Sequence, residues 1–138
     1  MSPITILLAE DHALIREGLQ AILQAEADMQ VIGEAENGRQ AVELTCQLHP
    51  DVVIMDISMP LLNGIEATRQ IMQPTGSTKV LVFSSHRDVV YIEQAMAAGA
   101  AGYLLKQTDT LLLPDAIRSA CHGAPFICPG KPASLSCP

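Results

Sequence analysis

Residues 51–60 read Asp51-Val52-Val53-Ile54-Met55-Asp56-Ile57-Ser58-Met59-Pro60. Four apolar residues, three of them β-branched, run without alternation and stop at a carboxylate followed by a proline-bearing turn. A strand covered on one face alternates apolar with polar residues, whereas a continuous run belongs to a strand buried on both faces of a parallel sheet. Working outward from this run at 51–55, the same pattern recurs at residues 4–8, 30–35, 79–84 and 102–105. Stretches of roughly ten to fifteen residues with helical periodicity separate the runs. Such alternation predicts an α/β three-layer sandwich: five βα units, right-handed crossovers, and helices on both faces of a central parallel five-stranded sheet.

The first helix places Leu14, Gly18, Leu19, Ile22 and Leu23 on one face, with Arg16, Glu17 and Gln20 on others. The second begins near Asn37-Gly38, turns Ala41, Leu44 and Leu48 inward, and is limited by Pro50. A third runs from Asn63 or Gly64 to Met72, ahead of a Pro74-Thr75-Gly76-Ser77 turn. The fourth spans residues 89–98 and ends at Gly99 as its C′ residue. The fifth covers 110–121, with Pro114 in its first turn, where the missing N–H costs little. Beyond it the composition changes, with Pro125, Pro129, Pro132 and Pro138 all falling in 123–138. We therefore divide the chain into a folded domain, residues 1–122, and a Pro-rich C-terminal tail or linker remnant, 123–138, without a packed element.

Composition narrows the function classes. The 138 residues suit one core, and 49% hydrophobic against 17% charged residues exclude a disordered chain. Fifteen acidic against eight basic residues give −7 at pH 7, which argues against direct nucleic-acid binding. No apolar run reaches the roughly 18 residues that cross a bilayer, and no signal-peptide pattern opens the chain. Cys46, Cys121, Cys128 and Cys137 have no disulfide-framework spacing, so a cytoplasmic location is expected. Nor do Cys121, His122, Cys128 and Cys137 have the paired spacing of a structural zinc site.

In an open parallel sheet, ligands bind beyond the carboxyl ends of the strands. There the sequence puts Glu10, Asp11 and His12 after the first run, Asp56 after the third, Ser84-Ser85 after the fourth and Lys106 after the fifth. Taken singly, Asp11 reads as a helix cap and Lys106 as a solvated charge. Taken together, three carboxylates at one sheet edge repel, and a hard cation with oxygen ligands, Mg²⁺, relieves that repulsion. Asp56 leaves the central strand and is placed to act as a nucleophile toward phosphorus, giving an acyl phosphate. Lys106 and the Ser84 hydroxyl are then free to meet phosphoryl oxygens, the charge neutralisation that phosphoryl transfer requires.

Leu8-Ala9-Glu10-Asp11-His12, Asp56-Ile57-Ser58-Met59-Pro60 with Gly64, Ser84, and Gly99-Ala100-Ala101-Gly102-Tyr103-Leu104-Leu105-Lys106 occur in that order. With 28 residues from Asp56 to Ser84 and 22 from there to Lys106, this pattern resembles the receiver domain of two-component response regulators. Within that family it is most similar to the NarL/FixJ-like subgroup, whose receivers precede a LuxR-type helix-turn-helix domain. The resemblance implies a flavodoxin-like (βα)5 fold with strand order 2-1-3-4-5. It also implies Asp56 as the phosphorylated residue, and Mg²⁺ on Glu10, Asp11, Asp56 and the Ser58 backbone carbonyl. Ser84, Tyr103 and Lys106 take the phosphoryl-binding and switch roles, with Tyr103 rotating inward as Ser84 moves. The alternative for Tyr103 is a half-buried strand aromatic with its hydroxyl in water. Ser58 and His86 occupy the positions that tune the lifetime of the phosphoryl group. The implied partners are a sensor histidine kinase and a second copy of the chain, docked through the face of the fourth helix, fifth strand and fifth helix or through that of the first and fifth helices. The implied output is control of transcription through a DNA-binding domain missing from this chain. A stand-alone receiver acting by contact or as a phosphate sink is the alternative.

One departure is Gln107, where many relatives carry proline; a cis bond before a non-proline residue costs about 3 kcal/mol, so the sequence leaves the loop geometry at Lys106-Gln107 open. Two other function classes fit less well. Aspartyl-phosphate hydrolases of the haloacid dehalogenase type carry Asp-x-Asp, and position 58 is Ser58. A nucleotide- or flavin-binding flavodoxin-like domain needs a phosphate loop, whereas Glu10-Asp11 follows the first strand. The expectation is a signalling phosphoprotein, not an enzyme beyond its own phosphorylation and dephosphorylation.

Overall fold

A computed structural model describes residues 3–73, 77–123 and 126–127. The elements follow in order as β1 (Ile4–Ala9), α1 (Ala13–Gln24), β2 (Met29–Ala35), α2 (Gly38–Leu48), β3 (Val52–Met55), α3 (Gly64–Met72), β4 (Lys79–Ser84), α4 (Val89–Ala97), β5 (Gly102–Leu105), α5 (Leu113–Cys121) and β6 (Phe126–Ile127). All strand pairs are parallel, in the order β2-β1-β3-β4-β5-β6. The apolar runs predict the parallel sheet, and its first five strands take the flavodoxin-like 2-1-3-4-5 order that the family resemblance implies.

Alternate residues of each strand feed opposite layers. Ile6, Leu8, Val52, Ile54, Leu81, Phe83 and Leu104 pack with Leu19 and Leu23 of α1 and Leu113, Ala116 and Ile117 of α5. On the other face, Leu7, Ala9, Val53 and Met55 meet Ala41, Ala67 and Ile71 of α2 and α3, while Val82, Tyr103 and Leu105 meet Ile92 and Ala95 of α4. Each Leu or Ile buried this way contributes about 1.5–3 kcal/mol relative to exposure, which makes the central strands the rigid base of everything above them.

Several local expectations need correction. Leu14 is 81% exposed, and the buried stripe of α1 is Leu19 and Leu23 with the partly buried Ile15 packed beside them. Stepping 100° per residue, 15, 19 and 23 fall within about 80° of one another, and Leu14 lies about 140° from the centre of that stripe, toward the opposite side of the helix. In α2 the inward position of the last turn is Thr45, whose hydroxyl donates to Ala41 O at 2.7 Å, and Leu48 lies exposed across Gly33. The fifth helix begins later, at Leu113, behind a 3₁₀ turn over Thr110–Leu112. Pro114 is the reason: without an N–H and with its ring against the carbonyl four residues back, it fits only an α-helical first turn. Residues past 122 are not wholly unpacked either, because β6 pairs Phe126 with Gly102 and Ile127 with Tyr103. This strand takes up the backbone groups that the outer edge of β5 leaves unpaired, and two residues are too short to show a period in sequence. Pro74, Thr75 and Gly76 of the expected turn, and Pro125, Cys128, Pro129, Pro132, Cys137 and Pro138, lie outside the described residues.

The turn after β3 depends on one close approach. Gly64, first residue of α3, donates its N–H to Ile57 O at 2.8 Å, and a Cβ added to it would lie 2.0 Å from the Asp56 carbonyl oxygen. Asn63 closes the helix end by accepting from Glu66 N at 2.9 Å. Gly64→Ala is expected to push α3 off the end of β3 and destabilise the protein by about 1–3 kcal/mol in urea unfolding. An unchanged midpoint would show that the turn yields without cost.

Candidate functional site

The carboxyl ends of β1, β3, β4 and β5 lie along one edge of the sheet, with Ala9 level with Met55 and Ser84 level with Leu105 across the neighbouring pairs. The residues that follow β1, β3 and β5, namely Glu10, Asp56 and Lys106, therefore leave the sheet on that edge. Glu10 is 2% and Asp56 4% exposed. The Lys106 ammonium stands 2.7 Å from Glu10 Oε1 and 3.3 Å from Asp56 Oδ2. The contact with Glu10 Oε1 is Coulombic, since that buried oxygen has no aligned hydrogen-bond donor. Lys106 is thus no solvated charge: its side chain is 13% exposed.

One donor atom from each of Glu10, Asp11, His12 and Asp56 lies within 4.8 Å of the others. Asp11 is not used as the helix cap, because the N-cap of α1 is His12 and no side-chain cap bond is made there. His12 turns back on the pair, its N–H donating to Glu10 Oε2 at 3.1 Å and its Nδ1 lying 2.8 Å from the same oxygen and 3.2 Å from Asp11 Oδ1. Two buried carboxylates with one ammonium leave an excess negative charge, and three carboxylates open to one side are a donor set suited to a hard divalent cation such as Mg²⁺.

The electrostatics agree. Burial, and then the Glu10 charge, push the Asp56 carboxyl up to about 6, against the pull of Lys106 and the Ser58 amide. Burial acts on Glu10 in the same direction, but Lys106 and His12 together outweigh it and hold that carboxyl below the usual range. The hydrogen bond to Glu10, with the Asp11 charge behind it, raises the His12 imidazole.

Ser84, Tyr103 and His86 form a second group beside the first. Ser84 is fully buried, and its hydroxyl oxygen accepts from His86 N at 3.0 Å. Tyr103 is fully buried as well, so neither a half-buried ring nor a ring awaiting inward rotation describes it; its hydroxyl donates to His86 O at 2.8 Å. The His86 ring stacks on Tyr91 of α4 at 4.2 Å, and its Nε2 lies 2.9 Å from Ser58 Oγ. One residue of the β4–α4 loop thus touches the turn after β3, the β4 end, the β5 aromatic and α4.

Two supports were not anticipated. Arg16 donates from Nη1 to the Glu10 carbonyl at 2.6 Å and from Nε to Glu34 Oε1 at 2.9 Å, tying the β1 end to β2. Buried Asp109 accepts from Leu105 N at 2.9 Å and fixes the turn that follows Lys106. That turn has no cis bond among the described residues, and the Thr110 hydroxyl closes it onto Lys106 O at 2.9 Å. Asp109, three residues past Lys106 and ahead of Thr110, is a legible turn acid; Arg16 has no local signal, since its partners are distant in sequence. Cys46 and Cys121 are free and exposed. No described helix is long and apolar enough to cross a membrane.

Residues 6–118 match the family model described as the response regulator receiver domain, and the chain belongs to that family. The transcriptional regulatory protein DegU of Brevibacillus brevis is 43% identical over 126 residues, covering 91% of this chain and 53% of the relative. The nitrate/nitrite response regulator NarL of Escherichia coli K12 is 36% identical, covering 88% of this chain and 56% of the relative. The chain thus spans about half the length of these curated relatives. Among solved structures, a LuxR-family two-component response regulator from Aurantimonas sp. SI85-9A1 superposes with a TM-score of 0.88 at 34% identity, covering 93% of this chain and 91% of that one. The receiver domain of a putative NarL from Mycobacterium tuberculosis gives 0.85 at 31% identity, covering 89% and 99%. The chain is a receiver domain of the kind found in LuxR/NarL-type response regulators.

The raised Asp56 carboxyl has a signed consequence. Between its ordinary value near 3.8 and about 6 the folded state holds a proton that the unfolded chain has released. Stability therefore falls as pH climbs through that window, and the penalty is complete above it. In chelator at pH 7.5, Asp56→Asn is expected to stabilise the protein by about 1–3 kcal/mol, a gain that vanishes below pH 4. Urea unfolding at the two pH values checks it; equal stabilities at pH 7.5 would mean that Lys106 neutralises Asp56 fully.

Proposed function

We propose that this receiver accepts a phosphoryl group on Asp56 from the phosphohistidine of a sensor histidine kinase. The observation that carries the reading is the Lys106 ammonium set between Glu10 and Asp56, with Asp11 open beside them. An ionised Asp56 oxygen attacks phosphorus, the phosphorus–nitrogen bond breaks with its electron pair returning to the imidazole, and an acyl phosphate remains. Glu10, Asp11, Asp56 and the Ser58 carbonyl hold Mg²⁺, which when bound offsets charge on the phosphoryl oxygens. Lys106 exchanges its carboxylate partners for one phosphoryl oxygen. The Ser84 hydroxyl, which accepts from His86 N and so keeps its own proton to give, donates to another.

The output follows from the second group. As Ser84 closes on the phosphoryl oxygen, His86 N follows, and with it the carbonyl that holds Tyr103 and the ring stacked on Tyr91. The face of α4, β5 and α5 is thereby reshaped. A switch from 1:99 to 99:1 needs about 5.5 kcal/mol of preference, within reach of several charge-assisted hydrogen bonds. Ser58, bound to His86 and carrying no acid or amide, positions no hydrolytic water, which favours a long-lived phosphoryl group. Exposed Val89 and Val90 on α4, and Leu14 and Leu111 beside α1 and α5, offer apolar contacts to the kinase or a second copy. Since the match covers only 53% and 58% of two relatives named as transcriptional regulatory proteins, the reading extends to transcription control through a DNA-binding domain outside this chain. A stand-alone receiver that acts by contact or as a phosphate sink is the alternative.

Incubation with acetyl phosphate and Mg²⁺ is expected to add one phosphoryl group by intact mass, lost on Asp56→Asn and on chelation. Labelling of another residue in that variant would remove Asp56 as acceptor. Lys106→Ala is expected to keep slow labelling but to lose the phosphorylation-dependent shift of α4 and β5 amide signals by NMR. The full shift in that variant would remove Lys106 from the coupling.

A further inference from the structure

His12, next to the acidic pair, is the nitrogen donor in the cluster of Glu10, Asp11, His12 and Asp56. We propose that His12 is a direct ligand, through Nδ1, of the divalent ion held by Glu10, Asp11 and Asp56. This nitrogen biases the site toward borderline first-row ions such as Mn²⁺ or Co²⁺ over Mg²⁺. The inference rests on the proposal that this pocket holds a divalent cation, and refines which ion it takes.

Geometry comes first. Nδ1 stands 2.8 Å from Glu10 Oε2 and 3.2 Å from Asp11 Oδ1. Donors about 2.1 Å from an octahedral ion lie about 3 Å apart along an edge, so these separations are those of neighbouring ligands. The four candidate donor atoms share a sphere in which no two are more than 4.8 Å apart. The imidazole is committed to nothing else in the fold, since as N-cap of α1 its side chain makes no capping bond, and it is 64% exposed and free to adjust. The buried Glu10 Oε1, without an aligned hydrogen-bond donor, lies 2.7 Å from the Lys106 ammonium, so this carboxylate already carries positive charge at the pocket. Chemistry then decides the ion: Mg²⁺ takes oxygen ligands and keeps its water, whereas Mn²⁺, Co²⁺ and Zn²⁺ gain from imidazole nitrogen.

The test is calorimetric titration of the full 138-residue chain with Mg²⁺ and Mn²⁺, for wild type, His12→Gln, His12→Ala and Asp11→Asn. Nitrogen-14 electron spin echo modulation is recorded on the Mn²⁺ forms, and thermal melting in chelator confirms that each variant folds. Both His12 variants are expected to weaken Mn²⁺ by about tenfold with Mg²⁺ nearly unchanged, and to lose a directly bound nitrogen signal present in wild type. Equal weakening of both ions without a nitrogen signal would overturn the proposal and leave His12 as a hydrogen-bonding clamp on Glu10. Absence of binding by either ion to wild type, or binding undiminished in Asp11→Asn, would overturn the cation pocket itself.

Discussion

The structure is organised around an excess of negative charge held out of water. Glu10 and Asp56 leave adjacent strands, both almost fully buried, and share the single ammonium of Lys106. Burying a charge without full compensation costs several kcal/mol, so this arrangement survives only because the apolar sheet beneath it is stable enough to bear the cost. That cost is also what makes the site responsive. Whatever supplies positive charge, or takes up the ammonium, shifts the balance of the whole edge, where burial and the Glu10 charge raise the Asp56 carboxyl.

Around that charge the supports are backbone-anchored rather than loose. Arg16 grips the Glu10 carbonyl, Gly64 lets α3 press onto the Asp56 carbonyl, and Asp109 fixes the turn that presents Lys106. Each acts on the main chain next to a charged residue, so the side chains are placed by their own strand ends. His86 links this edge to the outer layer. Its amide reaches Ser84, its carbonyl Tyr103, and its ring Ser58 and Tyr91. Contacts thus already run from the Ser84 hydroxyl through His86 to the buried Tyr103 and to Tyr91 of α4.

Much of this was legible in sequence. Continuous apolar runs separated by amphipathic stretches predict a two-sided parallel sheet because burial on both faces removes the alternation, and β4 and β5 fall on the predicted residues. Asn37 and Asn63 ahead of their helices both accept the capping bonds their residue types favour. The exact buried stripe of α1 was not legible, because Leu14 and Ile15 are equally apolar and only contact with the sheet chooses Ile15. The sixth strand escaped for a different reason: two residues define no period, and what pairs them is the free edge of β5.

For the site, residue type and place after each strand settled which groups meet at the sheet edge, because strand direction alone sends Glu10, Asp56 and Lys106 to the same end. What only the tertiary structure decided was their state. Burial sets the proton affinity of Asp56, the turn held by Asp109 aims Lys106, and the packing of β5 against α4 encloses Tyr103 with its hydroxyl on a loop carbonyl. These depend on distances between segments far apart in the chain. Sequence order carries the chemistry of each group, while the desolvation and field that tune it arise only once the layers close.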